Sequence, residues 1–142
     1  MPTILKPVTA TASLTLNKYD HGENVVNISA AAGLTVTLPP STGSGVEFEV
    51  FVATTVTSNS YIIQVTDTDI IQGGVALSTD IGGTNMLTAA TTDTITMNGS
   101  TTGGLKGSWV KVKDVASGIW RLNGFLVTTG TEATPFSAAV PA

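Results

Sequence analysis

Histidine and acidic side chains occur together at one place in the chain, the segment Asp20-His21-Gly22-Glu23. His21 is the single histidine among the 142 residues, and the chain has no cysteine. A zinc site draws its three or four protein ligands mainly from Cys and His, so this segment would need further ligands from elsewhere in a chain that has no second histidine. The absence of cysteine also excludes disulfides and thiolate nucleophiles. We therefore interpret the segment as a solvated loop between two strands.

Paired carboxylates are two further candidates for chemistry. Asp67 and Asp69 begin like a calcium loop, but no late glutamate follows, so a turn is the better interpretation. Glu47 and Glu49 are two positions apart on one predicted strand, which puts their carboxylates about 7 Å apart, a separation suited to an inverting glycosidase. No neighbouring residue in the sequence would raise the proton affinity of one carboxylate above that of the other, as a general acid and a general base require. We expect no enzyme activity, no catalytic residue, no bound metal and no cofactor.

The most conspicuous cluster is basic and aromatic. Four of the six basic residues and both tryptophans lie close together in the sequence: Lys106, Trp109, Lys111, Lys113, Trp120 and Arg121. One interpretation is a docking patch for an acidic partner or for sugars. The other is a solvated hairpin whose tryptophans fill the core, and this simpler interpretation is the one we favour.

The register of this hairpin stays open at the level of sequence. A two-residue turn at Ser117-Gly118 would place Asp114 opposite Arg121, a favourable charge pair. A three-residue loop that ends at Gly118 would give the glycine the left-handed position, which suits it better. That loop sets Lys113 opposite Arg121, which is unfavourable. Turn chemistry and charge therefore favour different registers.

Composition bounds the class of protein. The 25 Thr, 15 Val and 9 Ile residues favour strands, because β-branched side chains lose rotamer freedom in helices and fit a pleated sheet. A net charge of −4 argues against a nucleic-acid partner, which would require clustered Lys and Arg. The sequence has no apolar run of about 18 residues, so we expect no membrane partner. The lack of cysteine and of an apolar leader suits synthesis in a reducing cytosol.

Alternating apolar and polar residues between Gly, Pro and Asn turns predict many short strands. They lie at residues 13–17, 25–29, 34–38, 46–53, 61–66, 70–72, 75–78, 94–97, 107–115, 119–122 and 124–128. The expected core side chains are Leu34, Val36, Leu38, Val46, Phe48, Val50 and Val65. Residues 78–92 are predicted to be a long loop with at most one short strand. The expected fold is all-β, an antiparallel sandwich or barrel of jelly-roll type, with one domain over residues 12–128.

The two ends of the chain lack this alternation. Residues 1–11 and 129–142 are therefore interpreted as extended arms. They carry apolar side chains that would gain from burial against a second surface: Ile4, Leu5, Val8, Phe136 and Val140. We expect these side chains to contact a sister subunit or another protein, in a homo-oligomer for which a trimer is favoured over a dimer. Deletion of either arm is then expected to weaken assembly and leave the β-fold intact.

The order of several short motifs resembles a known family. Residues 31–39 (AAGLTVTLP) lead through a glycine-containing loop into the alternating strand 46–52, and residues 94–97 (TITM) precede a glycine-rich turn. Residues 107–112 (GSWVKV) then pass through a hairpin to residues 118–122 (GIWRL). This order is similar to that of small β-rich virion proteins of tailed bacteriophages, of the head-decoration (cement) type.

The resemblance implies a non-enzymatic protein that binds major capsid subunits on the outer surface of the virion and stabilises the expanded head. Such proteins form trimers or dimers on capsid symmetry axes. The alternative is a receptor- or glycan-binding β module of a phage tail or fibre. In that alternative Tyr61, Trp109 and Trp120 would stack on sugar faces, and at least one tryptophan would be exposed.

Overall fold

The computed structural model describes residues 6–141 and contains twelve β-strands. The predicted all-β class is confirmed. The strands are β1 (Val8–Ala10), β2 (Leu14–Thr15), β3 (Val25–Ile28), β4 (Leu34–Thr37), β5 (Glu47–Val52), β6 (Tyr61–Gln64), β7 (Ile70–Thr79), β8 (Gly82–Leu87), β9 (Thr94–Met97), β10 (Trp109–Ala116), β11 (Ile119–Val127) and β12 (Phe136–Ser137).

The strands form two sheets, as a β-sandwich requires. The larger sheet has the order β1-β3-β5-β10-β11-β7-β8, and the smaller sheet has the order β12-β9-β6-β4-β2. Both sheets are mixed, so the expected antiparallel pairing is found in only part of each sheet. Parallel pairs join β1 to β3, β3 to β5 and β7 to β11 in the larger sheet, and β2 to β4 and β4 to β6 in the smaller one.

The parallel pairs follow from the path of the first six strands. β1, β3 and β5 belong to the larger sheet, whereas β2, β4 and β6 belong to the smaller one. The chain therefore crosses to the other sheet after each of these strands. Each strand then runs in the same direction as the strand two positions earlier in the chain. Turn residues such as Pro39-Pro40 fit a crossing between sheets as well as a hairpin, which is why the sequence did not distinguish the two.

The core lies between the sheets and confirms the predicted alternation. Phe48, Val50 and Val52 of β5 are at most 1 % exposed, while Glu47 and Glu49 face away from the core. Leu34, Val36, Leu38 and Val65 are buried too, and Val46 packs partly buried against them. A one-residue slip of β5 would bury both carboxylates, so its register is fixed by the cost of burying charge.

Three strands lie in segments without a clear alternation of apolar and polar residues: β1, β8 and β12. β8 occupies part of the predicted long loop, where it pairs with β7 through a tight hairpin. β7 and β11 each run unbroken where two shorter strands were predicted, because Gly73, Gly74 and Asn123, which lie between the predicted strands, pair within the ladder. A Cβ at Gly73 would lie 2.2 Å from the Leu122 carbonyl oxygen, so the close approach of β11 requires a glycine there.

Parts of both terminal segments pair with the domain's own sheets. β1 pairs in parallel with β3 and buries Ala10, and β12 pairs with β9. The buried carboxylate of Asp93 accepts a 2.8 Å hydrogen bond from the Ala139 backbone N–H. The segment after β11 is thus held along the smaller sheet. Its proposed contact with another protein stays a prediction.

Candidate functional site

The outer face of the larger sheet carries a row of three aromatic side chains. Trp109 of β10 lies directly opposite Phe51 of β5 on one side and opposite Phe125 of β11 on the other. Directly opposed residues have their Cβ atoms about 5 Å apart, so the three rings form one apolar strip across the sheet. Phe51 and Trp109 are half-buried, and Phe125 is 38 % exposed. We call this row together with the basic residues beside it the aromatic–basic face.

Basic side chains of the predicted cluster lie next to this strip. Lys111 and Lys113 follow Trp109 at alternate positions of β10, and Arg121 precedes Phe125 on β11. The Lys111 Nζ lies 3.7 Å from Glu49 Oε1 and 5.9 Å from the centre of the Trp109 ring. Lys111 therefore links the aromatic strip to a carboxylate on the neighbouring strand. Exposed contacts of this kind stabilise the fold by less than about 1 kcal/mol, which leaves the ammonium group available to a partner.

The two tryptophans have different surroundings. Trp120 is fully buried, with its ring centre 5.8 Å from that of Phe48. Tyr61 is also fully buried, and its hydroxyl donates to the Thr54 carbonyl oxygen at 2.7 Å. Neither ring is available to stack on a sugar, so two of the three side chains expected in the glycan-binding alternative are core residues. Trp109 alone of those three belongs to a surface.

A β-bulge at Val115 settles the hairpin register. Ala116 pairs with Ile119 across the two-residue turn, but Asp114 pairs with Trp120, which leaves Val115 unpaired and 44 % exposed. The bulge shifts the ladder by one residue and sets Lys113 opposite Arg121. Glu47 lies opposite Lys113 on its other side. The two basic side chains, Lys113 and Arg121, thus have an acidic neighbour, Glu47, which belongs to a strand outside the hairpin.

Asp114 is a buried charged residue whose structural role the sequence did not reveal, since there it was considered only as a charge partner of Arg121. It lies on the inner side of β10, in the alternation of Val110 and Val112, and is 2 % exposed. Its carboxylate accepts hydrogen bonds from the backbone N–H groups of Thr42 at 3.0 Å and Gly43 at 2.7 Å. A charged residue at an inward position of an alternating strand is the signal that would have found it.

These contacts decide the charge of Asp114. Burial raises the pKa of the carboxyl group, but hydrogen bonds from Thr42, Ser44 and Gly43 outweigh this, so that the pKa lies below its ordinary value. The ionised carboxylate ties the loop between β4 and β5 to the base of the β10–β11 hairpin. It thereby fixes the end of the aromatic–basic face that carries Lys113 and Arg121.

The remaining interface candidates belong to the loop before β10 and to the two terminal segments of the chain. Lys106 is exposed in the loop before β10, where its backbone N–H donates to Thr55 Oγ1 at 2.9 Å. Phe136 and Val140 pack partly buried against the core. Val8 is a half-buried residue of β1. Ile4 and Leu5 fall outside the described residues.

Of the residues considered for catalysis, Glu23, Glu47 and Glu49 line one open depression, where the Glu47 backbone N–H donates to Glu23 Oε1 at 3.1 Å. His21 is buried rather than solvated, and its Nδ1 accepts the Asn17 backbone N–H at 3.0 Å, so it stabilises its own loop. Within residues 6–141 no group of three or more His, Asp or Glu side chains has the arrangement of a metal site. The same part of the chain holds no helix with the length and apolar character needed to cross a bilayer.

Comparisons of the chain with protein-family models, with curated proteins and with solved structures gave no match.

Proposed function

We propose that the chain is a structural virion protein that decorates a bacteriophage head, with the aromatic–basic face as its contact surface for major capsid subunits. The single observation that carries this proposal is the row of Phe51, Trp109 and Phe125 on the solvent side of a seven-stranded sheet. The resemblance in motif order adds to it. The proposed location is the outer surface of the virion.

The composition of the face is that of a protein-binding surface. Interfaces between proteins are enriched in Trp, Phe and Arg, and their binding energy concentrates in a few aromatic or Arg side chains at the centre. Trp109 occupies that centre, with Phe51 and Phe125 on either side of it. The sheet fixes the backbone that carries these rings, and an aromatic side chain has only two χ angles, so little conformational entropy is lost on binding.

The charges on the face favour a protein partner over a polyanion. On the same side of the sheet, Lys111 lies opposite Glu49, and Lys113 lies between Glu47 and Arg121. A surface for nucleic acid or a strongly acidic polymer would carry basic residues without interspersed carboxylates. Mixed signs instead suit a partner with its own mixed charges, for which they fix orientation more than affinity.

A binding experiment with heads tests the proposal. The purified chain is mixed with expanded and unexpanded empty heads of the virus that encodes it, and bound protein is measured by co-sedimentation and electron microscopy. We expect saturable binding to expanded heads. Trp109→Ala should weaken it roughly a hundredfold, which corresponds to about 2–3 kcal/mol for a central aromatic side chain.

Tyr19→Ala is the matched control, because Tyr19 is an aromatic side chain that is 87 % exposed in the loop between β2 and β3 and is not part of the aromatic–basic face. It should bind heads like the unmodified chain. Equal binding by Trp109→Ala and the unmodified chain would refute the aromatic–basic face as the contact. Binding to a glycan array that Trp109→Ala abolishes, together with no binding to heads, would favour the tail or fibre module instead.

A further inference from the structure

The larger sheet ends in a strand whose outer edge has the features of a pairing site. β8 has six residues and pairs with β7, and no strand among residues 6–141 pairs with its other side. Natural proteins protect such edges with Lys, Pro or very short strands. Residues 81–92 contain neither a charged residue nor a proline. Ile81 and Leu87 are 94 % and 80 % exposed, so two large apolar side chains flank this open edge.

The other three sheet edges are protected. β1 has three residues and follows Lys6 and Pro7, and a proline has no N–H to donate to a neighbouring strand. The two edges of the smaller sheet, β2 and β12, have two residues each. The unprotected state of β8 is therefore a local feature and not a general property of this sandwich.

Hydrogen bonds of the β7–β8 hairpin show which backbone groups are free. The Thr88 N–H donates to the Gly73 carbonyl oxygen at 2.9 Å, so this pair is a hydrogen-bonded position of the antiparallel ladder. Such positions alternate along a strand. Met86 and Thr84 consequently direct their backbone groups towards β7. The intervening residues Gly83, Asn85 and Leu87 direct their N–H and C=O groups away from the sheet.

We propose that β8 pairs with β8 of a second copy of this chain, antiparallel about a two-fold axis at Asn85. The three outward residues are symmetric about Asn85, so Gly83 of one copy lies opposite Leu87 of the other. This arrangement forms about six backbone hydrogen bonds and joins the two larger sheets into one. The exposed Leu87 side chain then lies across Gly83, where no side chain competes for the space.

Charge is compatible with a second copy as the occupant. Each chain carries a net charge of −4, so two copies repel on average and pair best through an uncharged segment. β8 is such a segment. The nearest charged residue, Asp80, lies in the turn at one end of the strand, so the antiparallel arrangement keeps the two Asp80 carboxylates at opposite ends of the contact.

The contact is two-fold and small. A head-to-tail pairing, which a trimer requires, would place β8 against one of the three protected edges. A pair of six-residue strands buries less than the roughly 1,200 Å² typical of stable interfaces, so a weak dimer that depends on concentration is expected. Such a contact would become fully occupied where many copies are held close together.

Sedimentation velocity from micromolar to millimolar protein tests the inference. We expect a monomer–dimer equilibrium for the unmodified chain. Asn85→Lys places two like charges beside each other on the axis, and Asn85→Pro removes an outward N–H and leaves the bonds to β7 in place. Each should weaken the dimer roughly tenfold or more. Ser58→Lys adds the same charge in the exposed loop between β5 and β6 and should keep the dimer.

Hydrogen exchange provides a second test. If β8 served only the fold of its own chain, its amide exchange rates would not depend on protein concentration. The amides of Gly83, Asn85 and Leu87 should exchange more slowly in concentrated than in dilute protein, whereas those of Thr84 and Met86 should not respond. A monomer at all concentrations, a trimer, or a dimer unaffected by both Asn85 variants would overturn the inference. Binding to heads is independent of this result, so a monomer that binds heads leaves the proposed function intact.

Discussion

The Ser44 hydroxyl donates a 2.7 Å hydrogen bond to the carboxylate of Asp114, which lies 70 positions later in the chain. The Ser44 backbone N–H donates to the same carboxylate at 3.1 Å. This one carboxylate therefore holds the loop between β4 and β5 against the β10–β11 hairpin.

Replacement of Asp114 should destabilise the fold. Asp114→Asn presents an amide N–H₂ group to a loop that offers only donors at this point, so at least one buried N–H loses its acceptor. We expect a loss of about 2–3 kcal/mol in the free energy of unfolding at pH 7, measured by urea denaturation. Asp80→Asn, at the exposed hairpin tip, should change this free energy by less than about 0.5 kcal/mol.

The same contact should depend on acidity. Because the pKa of Asp114 is lower in the folded than in the unfolded chain, its contribution is complete above the unfolded value of about 3.9. It is lost as the pH falls through the folded pKa. Urea denaturation at pH 7, 4 and 2 should show the difference between the unmodified chain and Asp114→Asn shrinking at the lowest pH. A difference that stays constant down to pH 2 would contradict this assignment.

Truncation of Phe48 should cost more than any change on the outer face. Its side chain is fully buried against Trp120, so Phe48→Ala should lower the free energy of unfolding by about 3–5 kcal/mol. Thr35→Ala on the polar side of β4 should have little effect. Similar losses from both variants in urea denaturation would mean that the two faces of the strands are reversed.

Fluorescence should distinguish the two tryptophans. Trp109→Phe leaves the buried Trp120, whose emission should be blue-shifted and weakly quenched by acrylamide. Trp120→Phe, if it folds, leaves Trp109 on the surface, with emission at longer wavelength and stronger quenching. Strong quenching of the Trp109→Phe variant would contradict the burial of Trp120.

The segment after β11 should be released when its anchor is removed. The Asp93 carboxylate accepts the backbone N–H groups of Ala139 at 2.8 Å and Val140 at 3.2 Å. Asp93→Ala should therefore speed chymotryptic cleavage after Phe136, measured by mass spectrometry. Asp80→Ala removes a charge from an exposed turn and should leave the cleavage rate unchanged. Equal rates for both variants would mean that Asp93 does not hold this segment.

Local alternation made much of the core predictable. Period-two patterning placed Phe48 and Val50 inside and Glu47 outside, because a strand turns successive side chains to opposite faces. The same rule separates the tryptophans. Trp109 shares the outer face of β10 with Lys111, whereas Trp120 shares the inner face of β11 with Leu122. Applied to the hairpin, it would have assigned one tryptophan to the surface and one to the core.

The β class, most strand positions and the inward faces could be predicted from the sequence, because these depend on residues one or two positions apart. Which strands are neighbours depends on the tertiary fold: β1, β3 and β5 run parallel, Glu47 lies beside Lys113, and Asp114 accepts hydrogen bonds from Ser44. The tertiary fold also places β8 at an open edge. Those relationships join residues far apart in the chain. Turn residues fit a hairpin or a crossing between sheets equally well, so the choice between these two paths depends on the burial of the whole core.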